Sequence, residues 1–289
     1  MDGRILALMS AMCFGINPIV LRPGLGRNNA NIAVLVGLLA GLPVLVLLSL
    51  VLGGLQLDQL SGLAVFYFVL GGLFGVVLGR GALYRSIRQL GSTRATTFKN
   101  GAPVVTAILA PIFLYEAVGL GRWGGIILVT VGLMMVGRRA GQLQSGPVRV
   151  TALAIAGLTP IFYGIRPIFS KMGLDLAPLP LAATLIGYLA AVAVYMAYFL
   201  YRRKLSTLKI GQRDLSLFAI AGLLQVTGLL LLNFALQSSE VSRIYPVSAS
   251  APLITFVLTY TILKNIERLT LSDLVGTLLV VGGVIWLLV

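Results

Sequence analysis

The sequence predicts an all-α polytopic membrane protein, with ten transmembrane helices arranged as two inverted repeats of five helices each. Three observations lead to this fold class: an apolar composition, ten apolar segments of membrane-spanning length, and motifs that recur at half the chain length. Of the 289 residues, 58% are hydrophobic and only 10% are charged, and the mean hydropathy is +1.00. Because a soluble domain carries about 25% charged residues, we expect the lipid bilayer to surround most of the chain.

Apolar runs of about 17–25 residues are long enough to cross the hydrocarbon core of a bilayer. The ten runs lie near residues 3–22, 30–52, 62–84, 93–115, 119–138, 149–170, 178–201, 214–237, 243–263 and 271–289. The connections between them are short and leave no room for a soluble domain. The polar stretch at 139–149 is a candidate linker, so we divide the chain into a first repeat at 1–145 and a second at 146–289.

Two motifs support the internal duplication. Phe14-Gly15-Ile16-Asn17-Pro18 recurs 149 residues later as Tyr163-Gly164-Ile165-Arg166-Pro167, and Ala102-Pro103 recurs at the same offset as Ala251-Pro252. A shared offset indicates a repeat, and five spans per repeat give the two halves opposite orientations in the membrane. A glycine and a proline three residues apart also predict a local helix break at each copy of the first motif.

The distribution of basic residues predicts the orientation of the chain. The connections after spans 1, 3, 5, 7 and 9 carry fifteen Lys and Arg residues, whereas the opposite side carries four. The positive-inside rule places the fifteen in the cytoplasm. We therefore expect a multi-pass protein of the cell inner (plasma) membrane, with both termini extracytoplasmic.

The composition also excludes several classes of function. The chain has no histidine and a single cysteine, Cys13, in an apolar run. We therefore expect no intramolecular disulfide, no metal site, no cofactor and no enzymatic activity. The net charge of +14 is not gathered on a soluble domain, so we expect no nucleic-acid partner. All eight carboxylates fall at or near span ends, which disfavours a proton-coupled exporter of cations and an ion channel lined by acidic rings.

Further paired motifs follow in each half. The first half has Ala102-Pro103-Val104-Val105, Leu114-Tyr115-Glu116, Gly124-Gly125-Ile126 and Val131-Gly132; the second has Ala251-Pro252-Leu253-Ile254, Glu267-Arg268-Leu269-Thr270, Val275-Gly276-Thr277 and Gly282-Gly283. This pattern resembles the drug/metabolite transporter superfamily in its ten-helix EamA-type branch, over essentially the whole chain. One position departs from the pairing, because the acidic residue of the second half is displaced by two positions. The resemblance implies a secondary transporter with a substrate cavity between two inverted halves. Bacterial members export amino acids and related metabolites, and relatives move nucleotide sugars, sugar phosphates or drugs.

Three cations fall inside the predicted spans: Arg80 in span 3, Lys99 in span 4 and Arg166 in span 6. Ionisable side chains are costly in hydrocarbon, so each is a candidate for function. Fixed positive charge favours a substrate with a carboxylate or phosphate. Two alternatives stay open: Arg80 snorkels to the cytoplasmic interface, and Lys99 is an interfacial anchor.

Polar and proline residues complete the candidate site. The side chains that can hydrogen-bond a polar substrate, or alternatively a neighbouring helix, are Asn17, Tyr84, Asn100, Tyr163, Gln225, Asn233, Tyr245, Ser248 and Ser250. The candidate hinges are Pro18, Pro103, Pro167 and Pro252, because proline removes a helical hydrogen bond. We expect the hinges of spans 4 and 9 near mid-membrane, Asn17-Pro18 near the cytoplasmic end of span 1 and Arg166-Pro167 near the outer end of span 6. The alternative is that the four prolines are static kinks.

A glycine stripe occurs in span 3. Gly71, Gly75 and Gly79 follow each other at four-residue spacing, so they lie on one helix face. This spacing predicts close approach of a neighbouring helix.

These observations favour an exporter of small polar metabolites that works by alternating access. The family resemblance implies amino acids as the first candidate class. From the three cations in the spans, we expect a small-molecule substrate that bears a carboxylate. The alternatives are a carrier of phosphorylated or nucleotide-linked sugars, a multidrug exporter and an ion channel. The oligomeric state does not follow from the sequence.

Overall fold

The computed structural model describes residues 3–51, 60–114, 122–142, 146–202, 210–238, 250–267 and 269–286, and every regular element in these ranges is helical. Each of the ten predicted spans contains helix. The elements are α1 Gly3–Leu25, α2 Ala30–Val51, α3 Gly62–Gly72, a π-helical segment Leu73–Gly79, α4 Arg80–Leu90, α5 Ser92–Lys99, α6 Ala102–Phe113, α7 Arg122–Gln142, α8 Gly146–Leu176, α9 Pro180–Tyr201, α10 Gln212–Ser238, α11 Ala251–Ile262 and α12 Leu271–Trp286.

The lengths of these helices confirm a polytopic membrane protein. Six helical stretches of the described chain are long and apolar enough to cross a bilayer: Gly3–Leu25, Ala30–Val51, Gly62–Leu90, Val150–Leu176, Pro180–Tyr201 and Gln212–Gln237. Shorter apolar helices occur at Trp123–Val136, Ala251–Ile262 and Leu271–Trp286. Span 3 is longer than predicted, because α3, the π-helical segment and α4 follow one another directly.

Span 4 is divided at its centre. Helix α5 ends at Lys99, two residues turn the chain, and α6 begins at Ala102 with Pro103 in its first turn. Helix α11 in span 9 begins in the same way, with Pro252 in its first turn. Proline is tolerated at the start of a helix because the N–H that it lacks has no intrahelical partner there. Each of these two prolines therefore lies at the start of a helix and not in its interior.

The helix break expected at the repeated motif is wrong. Helices α1 and α8 continue through Pro18 and Pro167. Hydroxyls of neighbouring helices bond the backbone three residues before each proline: Thr255 Oγ1 donates to the Gly15 carbonyl at 2.9 Å, and Thr106 Oγ1 donates to the Gly164 carbonyl at 2.8 Å. Such hydrogen bonds from adjacent helices let transmembrane helices retain proline.

The two halves make equivalent contacts, which follow the offset of the repeat. Helix α1 packs against α10 and α11, and its counterpart α8 packs against α3 and α6. Two close crossings are also paired, at an offset one residue longer: Gly37 lies against Gly222, and Gly72 lies against Gly187. The repetition in sequence is therefore a repetition in packing.

Helix α8 packs closely against the glycine stripe of span 3, as the spacing of the glycines predicts. A Cβ atom at Gly71, Gly75 or Gly79 would lie within 3.2 Å of an α8 side chain. Gly75 and Gly79 belong to the π-helical segment, a form that is frequently found at functional sites. The stripe brings α8 and its polar side chains close to the centre of the bundle.

Candidate substrate site

A central cavity lies between the two halves, and six of the predicted substrate-site residues and one predicted hinge residue, Pro103, line it. The lining residues are Phe14, Gly75, Val76, Arg80, Lys99, Asn100, Ala102, Pro103, Tyr163, Arg166, Gln225, Leu229 and Leu232. About 600 Å³ of space lies between these atoms, the open mouth included, but the centre of a water molecule fits in only about 50 Å³. Since one water needs roughly 10–15 Å³ by this measure, the cavity is narrow in this conformation.

Arg80 is buried on the wall of this cavity. Its side chain is 1% exposed, and Nη2 donates to the Tyr188 hydroxyl at 2.8 Å. The guanidinium carbon lies 5.0 Å from the centre of the Tyr188 ring. Nε and Nη1 have no hydrogen-bond partner among the described residues. Arg80 therefore does not snorkel to the interface, and it presents donors inside the bundle.

Lys99 ends helix α5, at the division of span 4. Its ammonium nitrogen lies 4.3 Å from the ring centre of Phe14 and 4.8 Å from that of Tyr163. These distances are those of cation–π interactions. The two rings are the equivalent aromatic residues of the repeated motif. The motif therefore positions the cation.

Arg166 lies deeper than the outer end of its helix, which is the position that the sequence predicts. Helix α8 continues for ten residues beyond it, to Leu176, which is about 15 Å of helix. Its side chain is buried against Gly75, and Nη2 donates to Asn233 Oδ1 at 3.0 Å. Asn233 in turn donates to Thr184 Oγ1 at 2.8 Å. Arg166 thus joins the central cavity instead of forming a separate outer element.

The lining of the cavity is cationic. Arg80, Lys99 and Arg166 line it, and no carboxylate belongs to its described lining. Gln225 and Asn100 add buried amides. The Tyr163 hydroxyl is buried without a hydrogen-bond partner in the described ranges. Such a lining attracts anionic and polar groups and repels cations.

The other candidate residues lie outside this lining. Asn17 donates to the Ala221 carbonyl at 2.6 Å, and the buried Tyr84 hydroxyl lies beside Asn17. Asn233 holds Arg166, and Ser250 directly precedes α11. Tyr245 and Ser248 fall outside the described residues.

A group of ion pairs between the halves was not predicted from the sequence. The Arg22 guanidinium lies 2.8 Å from Glu267, which also accepts from the Ser92 backbone at 2.6 Å. Arg94 makes two contacts to Asp273, at 2.9 and 2.8 Å. All of these contacts lie on the face predicted to be cytoplasmic. Carboxylates are scarce in this chain, which suggests that each one has a specific cationic partner. Those partners are about 180 to 245 residues away along the chain, and hydropathy does not identify them.

A third ion pair on the same face joins the α1–α2 connection to the start of α10. Arg27 Nε donates to Asp214 Oδ2 at 3.1 Å, and Asn28 donates to the same carboxylate at 2.7 Å. The hydrogen bond from Arg27 to Asp214 raises the pKa of the Arg27 guanidinium. Arg27 is half exposed, so this contact is weaker than the buried pairs.

Comparisons with known proteins agree with this architecture. An uncharacterized protein of Methanocaldococcus jannaschii is 30% identical over 139 residues, which are 47% of this chain and 96% of that protein. That relative therefore has about the length of one half of this chain. A solved crystal structure of a protein superposes with a TM-score of 0.71 over 98% of this chain and 94% of that chain, at 15% identity; it shares the fold. The EamA-like transporter family matches residues 1–138 and 150–289. The chain belongs to the EamA-like transporter family and is a multi-pass membrane transporter.

Proposed function

We propose that this transporter exports small polar metabolites that bear a carboxylate, with amino acids as the substrate class. The observation that supports the proposal is the cationic cavity: Arg80, Lys99 and Arg166 line it without a carboxylate among the described lining residues. Two nitrogens of the buried Arg80 guanidinium have no protein partner within the described ranges. A substrate carboxylate would accept from them in charge-assisted hydrogen bonds.

The narrow cavity favours a small substrate over a large one. A free phosphate or a nucleotide-linked sugar would satisfy the same cations, but a nucleotide needs far more space than this conformation offers. Gln225 and the Tyr163 hydroxyl are placed to bind the polar groups beside the carboxylate. A cationic drug has no carboxylate to meet in this lining, which disfavours multidrug export. We propose transport without catalysis at this site.

Alternating access then requires the two halves to move around the cavity. The division between α5 and α6, beside Pro103, is a candidate hinge in span 4, and Pro252 takes the corresponding place in span 9. Pro18 and Pro167 lie in continuous helices and are proposed as bending points only. The ion pairs of Arg22 and Arg94 hold the halves together on the side predicted to be cytoplasmic. They would separate when the cavity opens toward that side.

The test is a substrate screen on the purified protein, reconstituted into proteoliposomes with the lipid composition of an inner membrane. Counterflow of amino acids, sugar phosphates and a cationic dye is measured, together with the thermal shift that each compound causes. We expect exchange and stabilisation by one or more amino acids. Exchange of sugar phosphates alone, or of the dye alone, would exclude the proposed substrate class.

Three site variants and one control link the activity to the cavity. Arg80→Gln, Lys99→Ala and Gln225→Ala should each lower counterflow at least about tenfold, because a charge-assisted hydrogen bond is worth roughly 1.5–3 kcal/mol. Arg88→Gln removes an exposed cation two turns from Arg80, outside the cavity lining, and should keep the wild-type rate. Equal rates in all four variants would mean that substrate binds elsewhere.

A further inference from the structure

A second cavity lies on the outside of the bundle, where the end of the π-helical segment and α4 meet α8 and α9. The centre of a water molecule fits in about 350 Å³ of it, several times the space in the central cavity. Its apolar wall includes Leu78, Leu158 and Val194. These side chains are 42%, 44% and 40% exposed, so the groove opens toward the lipid and not toward the centre of the bundle.

One end of this groove is cationic. The exposed Arg85 lines it, and Arg85 Nη2 donates to Asn31 Oδ1 at 3.0 Å. Tyr198 also lines the groove, and the guanidinium carbon of the exposed Arg202 lies 5.9 Å from the centre of its ring. The groove therefore has one guanidinium group in its lining, that of Arg85, a second beside its lining residue Tyr198, and aliphatic side chains along its wall.

The position of these cations along their helices matches a membrane interface. Arg85 is five residues before the end of α4 at Leu90, about 7.5 Å of helix. Arg202 directly follows the end of α9 at Tyr201. Tyrosine side chains are enriched at this depth because the ring is apolar and the hydroxyl contacts water. Tyr198, which is 40% exposed, lines the groove there.

We propose that this groove is a binding site for an anionic phospholipid of the leaflet predicted to be cytoplasmic. The phosphate lies against Arg85 and Arg202, and an acyl chain follows Leu78, Leu158 and Val194. The charge at one end and the apolar wall together fit this occupant. A soluble anion would leave the apolar wall uncovered, and a neutral lipid would leave the two cations without an anion.

The lipid site is close to the central cavity. Val76 and Arg80 line the cavity, whereas Val77 and Gly81 line the groove. One stretch of helix therefore separates them. Tyr195, on the groove side, donates to the Val77 carbonyl at 3.4 Å. A bound lipid packs against the same turn that carries Arg80.

The test compares lipids on the purified full-length protein in detergent. Phosphatidylglycerol, phosphatidylcholine and inorganic phosphate are added separately, and the thermal midpoint and the lipid retained in native mass spectrometry are measured. We expect phosphatidylglycerol to raise the midpoint and to remain bound, with little effect of phosphatidylcholine or phosphate. A phosphate effect as large as that of the anionic lipid would identify a free-anion site and overturn the proposal.

Matched variants separate the groove from general surface charge. Arg85→Gln should abolish the preference for phosphatidylglycerol, whereas Arg88→Gln, which removes an exposed cation outside the groove lining, should keep it. Leu158→Trp fills the apolar wall without a charge change and should reduce lipid retention at least about fivefold. Equal losses in the two arginine variants, or full retention in Leu158→Trp, would overturn the site.

Discussion

Phe14 and Tyr163 occupy equivalent positions in the two repeats, and both of their rings face the ammonium group of Lys99, at 4.3 and 4.8 Å. One aromatic side chain from each half therefore contacts the same cation at the centre of the bundle. The aromatic residue of the repeated motif therefore has a structural role of its own, which is to position the Lys99 ammonium group.

Removal of one ring should weaken the positioning of Lys99. Phe14→Leu keeps an apolar side chain but removes the cation–π contact, worth about 0.5–2 kcal/mol. We expect a 2- to 30-fold rise in KM for the substrate found in the counterflow screen, without loss of fold. Tyr163→Phe keeps the ring but removes the hydroxyl, so it distinguishes the effect of the ring from the effect of the hydroxyl. An unchanged KM in Phe14→Leu would show that the ring does not position the cation.

The ion pair between Arg94 and Asp273 should contribute to stability through its burial. The two side chains are 5% and 0% exposed, and loss of one partner leaves the other charge buried. Asp273→Asn should therefore lower the free energy of unfolding by about 3–5 kcal/mol. The double variant Arg94→Met/Asp273→Leu removes both charges and should recover much of that loss. Thermal melts in detergent compare the two variants, and a double variant less stable than Asp273→Asn would contradict this explanation.

The crossing of α3 and α9 should tolerate no side chain at its closest point. A Cβ atom at Gly72 would lie 2.4 Å from the Gly187 carbonyl oxygen, and a backbone atom cannot move aside as a side chain can. We expect Gly72→Ala to prevent normal folding, seen as loss of the monodisperse peak in size-exclusion chromatography. Gly157→Ala in α8 is the control, because nothing lies within 4 Å of the added atom. It should be neutral or stabilise by about 0.5–1 kcal/mol, since alanine favours a helix.

Gly75 should govern the position of Arg166. A Cβ atom at Gly75 would lie 2.1 Å from Arg166 Cδ, and this flexible side chain can move away from it. Gly75→Ala should therefore fold, displace the guanidinium from the cavity and lower transport about as much as Arg166→Ala. Because the two changes act on one group, the double variant should be no worse than either single one. If the transport losses of the two single variants multiply in the double variant, Gly75 and Arg166 act on transport independently and the explanation is wrong.

The orientation of the chain is open to a direct test. Both termini are expected on the extracytoplasmic side from the excess of basic residues on the other side. A phosphatase that is active only outside the cytoplasm, fused after Val289, should show activity, and a fluorescent protein that matures only in the cytoplasm should stay dark at the same site. The reverse pattern would invert the topology and place the ion pairs of Arg22 and Arg94 outside.

The site was predictable from the sequence only in part. Arg80, Lys99, Arg166 and Gln225 stand out because polar groups inside apolar segments are rare and costly, and all four line one cavity. Asn17 and Tyr84 stand out for the same reason, yet Asn17 bonds a neighbouring backbone and Tyr84 lies beside it. Whether such a side chain bonds a substrate or a neighbouring helix depends on the direction in which it points. Hydropathy does not predict that direction. The substrate roles of these residues and the repeat boundary at 145/146 stay predictions.

The sequence by itself determined the membrane class, the helical spans and the repetition, because hydropathy and repeated motifs are local properties of the chain. Only the tertiary structure showed that α1 and α8 continue through Pro18 and Pro167, and that hydroxyls from other helices bond the backbone three residues before each proline. It also decided that Arg94 meets Asp273 and that two equivalent aromatic rings meet Lys99. Each of these contacts joins residues of different helices, so the packing of the two halves and not the local pattern determines it.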